Sequence, residues 1–497
     1  MMIKRKILLM GIVFMIPLLC HCAERPLTLN DVITIAKQRS HNAQSARFRF
    51  VAAYWTYRSF KAELLPSVNL GGSLLNFDHS KVETRNSESG LINYVDNNSL
   101  TNNMTLSVDQ HIPWLGGTVS LQSYLYRLDQ FDYDLTTYNS QPLRITYTQP
   151  LRSYNSLNWQ RKTAPVEYDI AKKEYLENME QVTITATQLF FGAISAQTNY
   201  RQSIKNHADL RTMYEMAQKR FELGTINKSD ILQLELSVLN AKVAVTNNRI
   251  QLDNCLFNLF SYLRLSNYQN VELDVPADVP EVIINVNDAI AYALTNSSHS
   301  QNQNLIQLEA RKSLAQAKSQ KGIQLQLRSE IGFTKTADNL HDAYGRLKDN
   351  EKVGLTLSLP IFDWGVSKGR VRVAEANLEL ARLQVEQQRE EYVQDVRKQV
   401  VQFACQSEQC RTAQRARDIS SERYEMTKRR FEEGTVSVTE LNTALQEAET
   451  AKSQYVSQLQ RYWLDYYTLR RTTLYDWQFQ CKLSTDYDKL LNERNYE

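Results

Sequence analysis

The sequence is poor in the two residues that most often interrupt helices and strands. Its 497 residues include only 15 glycines and 10 prolines, whereas an average chain holds about 7% glycine and about 5% proline. Because both residues mark turns, their scarcity predicts few turns and long uninterrupted elements. The length itself is well above that of one average domain.

The sequence also lacks an excess of charge of either sign. It has 58 lysines and arginines against 55 aspartates and glutamates, which leaves a net charge of +3 with both signs mixed throughout. A nucleic-acid-binding surface is therefore not predicted. We interpret the runs of charge as solvated faces of helices.

Long apolar runs are absent beyond the N-terminus. Residues 1–24 combine basic "MMIKRK", apolar "ILLMGIVFMIPLL" and small residues in "CHCAE", with the predicted signal peptide ending at residue 22. This pattern predicts a secretory signal peptide, because the apolar run is too short for a membrane span. A short anchor is the alternative, and Cys22 is a candidate lipidation site, although His21 fits a lipidation box poorly. We expect an exported chain without a helical span, which could still enter an outer membrane as a β-barrel.

The residues that commonly bind metals or carry out catalysis form no recognisable pattern. After residue 22 only four cysteines remain, and Cys405 and Cys410 would be separated on a helix by a rise of about 7.5 Å, too far for a disulfide. No Cys/His spacing matches a zinc site. No "GxSxG", "HExxH" or P-loop occurs. We therefore expect no metal, no cofactor and no enzymatic activity.

What the chain does contain is a duplication. "YEMAQKRFELGT" from Tyr214 and "YEMTKRRFEEGT" from Tyr424 match at eight of twelve positions, 210 residues apart. Two further matches pair "ITYTQPL" from Ile145 with "LTLSLPI" from Leu355 at the same offset, and "LNDVITIAKQRS" from Leu29 with "VNDAIAYALTNS" from Val286 at an offset of 257. The chain is therefore interpreted as two copies of one unit, the first with about 47 extra residues.

Each copy has the same predicted order of elements: a helix, two strands of alternating character, a very long helix and a returning helix. The first copy adds a β-hairpin around "PWLGG", followed by an exposed loop composition. Each very long helix would form a rod roughly 100 Å long at 1.5 Å per residue. The predicted helices are 29–63, 155–223 and 228–265 in copy one, and 287–320, 365–433 and 438–472 in copy two. The predicted domains are repeat 1 at 23–270, a linker at 271–286, repeat 2 at 287–473 and a polar tail at 474–497.

The duplicated motif has the chemistry of a helix that stops and reverses. Arg220 and Arg430 lie in a last helical turn, where the helix dipole favours cations. Gly224 and Gly434 follow, as expected for a left-handed C-cap. "SVTE" (437–440) is then a capping box for the next helix, and "NKSD" (227–230) is its weaker analogue. Each copy therefore predicts a helical hairpin at the end of its rod.

On these residues the chain resembles the TolC-like outer membrane efflux protein family. The resemblance rests on the duplicated element order, on "SLPIFDWG" leading from a strand into a rod, and on "RFExGT" at both tips. It implies an α+β membrane protein: a homotrimer whose twelve-stranded outer-membrane β-barrel continues into a long periplasmic α-helical coiled-coil barrel. The extra hairpin departs from this plan and could either lengthen outer loops or add strands.

The resemblance also implies roles for individual residues. Thr443 and Val436 depart from the acidic and basic residues of the family gate, so a gate held by the same salt bridges is in doubt. A single Glu440 per subunit would still form a ring of carboxylates that favours cations. The residues predicted to dock an adaptor are Arg220, Gly224, Thr225, Ile226, Arg430, Gly434, Thr435 and Val436. Those predicted for a periplasmic gate are Asp230, Phe431 and Glu440.

The predicted function is a passive exit duct in the cell outer membrane. The resemblance implies a periplasmic adaptor, an inner-membrane RND or ABC transporter and outer-membrane lipid as partners, in tripartite efflux or type I secretion. One alternative is a soluble periplasmic coiled-coil adaptor or scaffold, although an adaptor should show one hairpin and a lipoyl-like domain. An exported enzyme is a further alternative, without a motif to support it.

Overall fold

The computed structural model describes residues 26–85, 90, 92–224, 226–266, 271–276 and 280–492. The signal peptide at 1–22, lipidation at Cys22 and the docking role of Thr225 are predictions outside these residues. The chain divides into two compact units, one formed by residues up to His41 with Val182–Glu281 and Gln406–Leu464, the other by Asn42–Gln181, Val282–Cys405 and residues from Asp465 onward.

Helices make up most of the described chain. No described helix combines the length and apolar character needed to cross a membrane. The helices are α1 (Leu29–Arg39), α2 (His41–Glu63), α3 (Ser156–Glu222), α4 (Lys228–Leu263), α5 (Val286–Asn296), α6 (His299–Lys321), α7 (Leu340–Ala343), α8 (Val366–Glu433), α9 (Val438–Thr473) and α10 (Tyr487–Asn492).

The two very long helices are confirmed, because α3 has 67 residues and α8 has 68. Pro165 lies inside α3 without ending it. The sequence also predicts an apolar seam along α8 that ends at Tyr392. Its first five residues are buried, with exposures between 7% and 9%, and Tyr392 is half-buried. Steps of three and four residues place these side chains on one face of the helix. The five buried residues are Val371, Ala374, Leu378, Ala381 and Val385.

The first predicted helix of each copy was wrong in one respect, because each is broken in two. Ser40 separates α1 from α2 with extended φ and ψ of −63° and 148°. Ser297 ends α5 with −71° and 165°, and its hydroxyl donates to the carbonyl of Ala293 at 2.5 Å. At Ser297, this hydroxyl bond to the preceding turn competes with continuation of the helix. The break occurs in both copies, so the fragments match in length, at 11 and 23 residues each.

The strands form one antiparallel sheet in sequence order, and a two-residue pair, β7 (Tyr475–Asp476) with β8 (Cys481–Lys482), lies apart from it. The predicted extra hairpin is confirmed as β2 and β3, and it lies between the strands expected from the resemblance. Twelve strands in a trimer would require four per chain, whereas this sheet has six. The six strands are β1 (Ser67–Arg85), β2 (Ile92–Ile112), β3 (Gly117–Gln130), β4 (Leu135–Arg152), β5 (Gln324–Ala337) and β6 (Lys348–Ser358).

The described part of the predicted linker is bonded to two other segments of the chain. Leu273 forms a parallel bridge with Leu27. The amide of Gln197 on α3 bonds the backbone of Leu273 twice, at 2.9 and 3.0 Å. The polar tail is also ordered in its described part: Asp476 accepts from Tyr466 at 2.8 Å.

Candidate functional site

The first helical hairpin reverses at Gly224. The backbone of Gly224 has φ of +74°, and its N–H donates to the carbonyl of Phe221 at 2.9 Å. Glycine adopts this left-handed conformation without steric cost. Leu223 beside it is 78% exposed. Asn227, the residue before α4, has an extended backbone, and its side chain makes no capping hydrogen bond. The "NKSD" segment (227–230) therefore does not form the predicted weaker analogue of a capping box.

The second hairpin reverses at Gly434 in the same way. Its φ is +84°, and the N–H of Gly434 donates to the carbonyl of Phe431 at 3.0 Å. Thr435 then closes the helix end, because its N–H and its hydroxyl both donate to the carbonyl of Arg430, at 2.9 and 3.0 Å. One half of the predicted capping box is present at the next helix, since the N–H of Glu440 donates to the hydroxyl of Ser437 at 3.2 Å.

The two hairpins share one buried apolar cluster, which we call the tip core. Ile226 and Val436, the residues two positions after each turn glycine, pack against it as partly buried equivalents. Packing of this kind contributes in proportion to the apolar area removed from water, so the tip core holds the hairpins together as one body. Its buried members are Leu210, Met213, Ala217, Leu234, Tyr424, Phe431, Val438, Leu441, Ala444 and Leu445.

Arg220 lies at the junction of the two hairpins. The sequence placed it at the end of its own helix, yet its guanidinium reaches the end of the other long helix. Nη1 donates to the carbonyl of Phe431 at 3.1 Å and Nη2 donates to the carbonyl of Glu432 at 2.5 Å. The last carbonyls of a helix carry partial negative charge and have no helical partner. Arg220 therefore caps α8 from α3.

A second link between the long helices involves Asp209, which the sequence reasoning missed. One carboxylate oxygen accepts from the Tyr424 hydroxyl at 3.2 Å, and the other pairs with the Lys428 ammonium at 2.7 Å. The side chains of Asp209 and Lys428 are only 16% and 22% exposed. Burial, and then the nearby Asp209 charge, raise the pKa of Tyr424. The hydroxyl therefore stays a donor at neutral pH.

A further polar row lies where α3 faces α9. The amide of Asn206 donates to the carboxylate of Glu449, and Lys452 donates to the amide oxygen of Gln202 at 3.0 Å. Burial raises the pKa of Glu449. Burial, and then nearby cations, lower the pKa of Lys452. A groove of about 750 Å³ runs between α3, α4 and α9, lined mainly by amide and hydroxyl groups with these two ionisable side chains.

The predicted gate residues occupy three different environments. Glu440 is exposed on the first turn of α9. Asp230 is half-buried on the first turn of α4. Phe431 is 3% exposed and belongs to the tip core, so any part it plays in a gate is through packing. No group of metal-ligating side chains occurs in the part of the chain that the structure describes.

The chain was compared with protein families and known structures. Residues 290–473 match the model of the family described as "Outer membrane efflux protein". None of the curated proteins matches. Among solved structures, the CmeC outer membrane channel of Campylobacter jejuni gives a TM-score of 0.65 at 16% identity, covering 94% of this chain and 88% of that chain. VceC of Vibrio cholerae gives 0.62 at 14% identity, covering 90% and 95%.

A third similar structure is the open state of the MtrE outer membrane channel of Neisseria gonorrhoeae, with a TM-score of 0.59, 14% identity and coverage of 92% and 91%. Identities this low establish the fold alone. Residues 290–473 match the outer membrane efflux protein family, and the chain as a whole has the fold of these channels. The resemblance read from the sequence is confirmed.

Proposed function

We propose that the protein is the passive exit duct of a tripartite efflux or type I secretion system. Three copies form the duct, with a sheet-built barrel in the outer membrane and the long helices in the periplasm. An adaptor docks at the helical tips and connects the duct to an inner-membrane RND or ABC transporter. The energy for transport comes from that partner, because the chain has no nucleotide-binding motif.

The observation that carries this proposal is the construction of the tips. The two reversals expose their glycines while the residues around them are fixed by the tip core and by Arg220. A rigid, exposed turn binds a partner at a low entropy cost. The two turns differ in chemistry, since Leu223 at the first is 78% exposed and the equivalent Glu433 at the second is acidic. We infer that the first turn offers an apolar contact to the adaptor.

The sheet supports a ring of copies. In the described chain, the outer edges of β1 and β6 each lack a strand partner. Unpaired backbone groups are not tolerated in lipid, so a sheet can enter a membrane only when its edges are closed. Pairing β1 of one copy with β6 of the next closes every edge at once. Three copies would also bring six helical tips to one mouth.

We further propose that the links between α3 and α8 hold the mouth closed. Asp209 joins Tyr424 and Lys428, and Arg220 caps the end of α8. The MtrE channel has been captured in an open state, and by analogy this duct opens when its hairpins separate. Glu440 from each copy would form a ring of three carboxylates at the mouth, which favours cations.

Cell fractionation followed by cross-linking tests the proposal. The protein is expected in the outer-membrane fraction, and an amine-reactive cross-linker should yield a covalent trimer. Recovery in the soluble periplasmic fraction would instead support a coiled-coil adaptor or scaffold and would contradict the duct. A monomer in the outer membrane would refute the trimer and, with it, the closed barrel.

A further inference from the structure

The extra hairpin β2–β3 continues the alternation of apolar and polar residues in the middle of the sheet, although Leu106 pairs with Ser123 on β3 and Ile331 pairs with Glu351 on β6. One row of paired residues crosses five strands and is apolar throughout: Val68, Val108, Leu121, Ile145 and Ile331. Four of the five side chains in this row are exposed, from Leu121 at 42% to Val68 at 68%. Apolar side chains on the outer face of a strand are typical of contact with lipid.

The adjacent row of paired residues is polar and crosses all six strands. It consists of Ser67, Asp109, Ser120, Thr146, Glu330 and Lys352. Since side chains alternate between the two faces of a strand, this row lies opposite the apolar one. A loop folded outside the membrane, or a plug inside a pore, would not need such alternation in register with its neighbours.

Hydrogen bonds on the polar face join the hairpin to the strands on both sides of it. Asp109 of β2 accepts from Asn69 of β1 at 3.1 Å and from Ser120 of β3 at 2.5 Å. Arg144 of β4 donates to Gln122 of β3 at 3.1 Å and lies 3.9 Å from Glu330 of β5. The hairpin is therefore part of one polar network that runs across the sheet.

The turn of the hairpin lies at the end of the sheet where strands meet helices. The amide of Asn155, which precedes α3, donates to the carbonyl of Pro113 at 2.7 Å. Gln149 of β4 donates to the carbonyl of Leu115 at 2.8 Å. On the other side, Gln110 reaches the carbonyl of Leu64, after α2, at 2.9 Å. The hairpin thus reaches the end of the sheet from which the helices leave.

We propose that β2 and β3 are wall strands, and that the assembled barrel has eighteen strands, six from each of three copies. This inference rests on the proposed trimer. Barrel diameter grows roughly linearly with strand number, so the sheet-lined passage would be about one and a half times as wide as with twelve strands. Barrels of about this size leave a water-filled channel, lined here by the polar row.

Cysteine labelling in whole cells tests the wall position of the hairpin. In a background whose own cysteines are replaced, neighbouring residues on β2 provide a matched pair: Thr105→Cys on the polar face and Leu106→Cys on the apolar face. A hydrophilic maleimide should label position 105 through the pore, while lipid protects position 106. Thr356→Cys and Leu355→Cys on β6 form the reference pair for a strand expected in any version of the barrel.

The outcomes separate this inference from the proposed function. The same alternation in both pairs supports eighteen strands. In a second outcome, the β6 pair alternates while the two β2 positions are both labelled or both protected. The hairpin then lies outside the barrel wall, so the inference of eighteen strands fails while the proposed duct is unaffected. If the β6 pair does not alternate, the barrel itself is wrong. Should a β2 variant fail to fold, Leu125→Cys and Tyr126→Cys on β3 repeat the comparison.

Discussion

Replacing Asp209 with asparagine removes the negative charge that links α3 to two side chains of α8. The substitution keeps the size of the side chain, and its amide oxygen can still accept from Tyr424. The ammonium of Lys428, 2.7 Å away and 22% exposed, loses its only negative partner in that link. We expect Asp209→Asn to leave the tip core intact and to weaken the closed arrangement.

The size of the effect follows from the partial burial of the pair. Exposed ion pairs contribute about 0–1 kcal/mol, and breaking a fully buried pair costs roughly 3–5 kcal/mol. A pair at 16% and 22% exposure lies between these limits, so we expect a loss of about 2 kcal/mol. Since about 1.4 kcal/mol corresponds to a tenfold change, the ratio of open to closed hairpins should rise roughly thirtyfold in each copy, and the ratio of open to closed channels by at least that factor.

Single-channel recording in planar bilayers measures this ratio directly. The control is Glu215→Gln. It removes a carboxylate from the same helix, and the bonding partner of that carboxylate among the described residues is Arg211 of that helix, at 3.2 Å. We expect frequent full openings from Asp209→Asn and wild-type behaviour from Glu215→Gln. Wild-type openings from Asp209→Asn, in a trimer of normal thermal stability, would refute the role of this link in closure.

Three further predictions concern the tips and the groove. Introducing a charge at Gly434, where an added Cβ would lie 3.4 Å from the Arg220 guanidinium, or at Gly224 should abolish export while the trimer persists; normal export would exclude tip docking. Glu440→Gln should lower the cation preference of the channel, and unchanged selectivity would remove this residue from the mouth. Burial raises the pKa of Glu449 above its ordinary 4.5, so the folded chain binds this proton more tightly and loses stability as the pH rises above that value. Glu449→Gln should therefore raise the melting temperature at pH 8 by more than at pH 5, and an equal or opposite difference would contradict this.

Local chemistry explains why the long elements could be predicted. The seam of α8 repeats at steps of three and four without a proline, and a helix is the only element that places such residues on one face. Gly224 and Gly434 mark the reversals because few other residues adopt a positive φ at low cost. The alternation around "PWLGG" likewise predicted the β2–β3 hairpin.

Contacts between distant residues could not be predicted in the same way. Tyr424 belongs to the duplicated motif, but its partner Asp209 corresponds to Ile419 in the other copy, so comparing the copies gave no indication of the link. In copy one, the hydroxyl of Tyr214 instead accepts from Gln218 on the same helix at 2.9 Å. The capping of α8 by Arg220 is hidden for the same reason, since the chain bends back over about 210 residues to form it.

The break at Ser40 was missed for a different reason. The apolar pattern continues on both sides of this residue, and a single serine is compatible with a helix. Ser40 is fully buried, so tertiary packing rather than local preference determines its extended conformation.

The central claim is that three copies of this chain form a water-filled duct. Its most direct test is the conductance of the purified protein in a planar bilayer, recorded together with the mass of the inserted species. We predict discrete conductance steps from trimers, with openings that increase in Asp209→Asn. If the protein inserts, as a trimer or as a monomer, and neither the wild type nor Asp209→Asn shows any conductance, the account is contradicted.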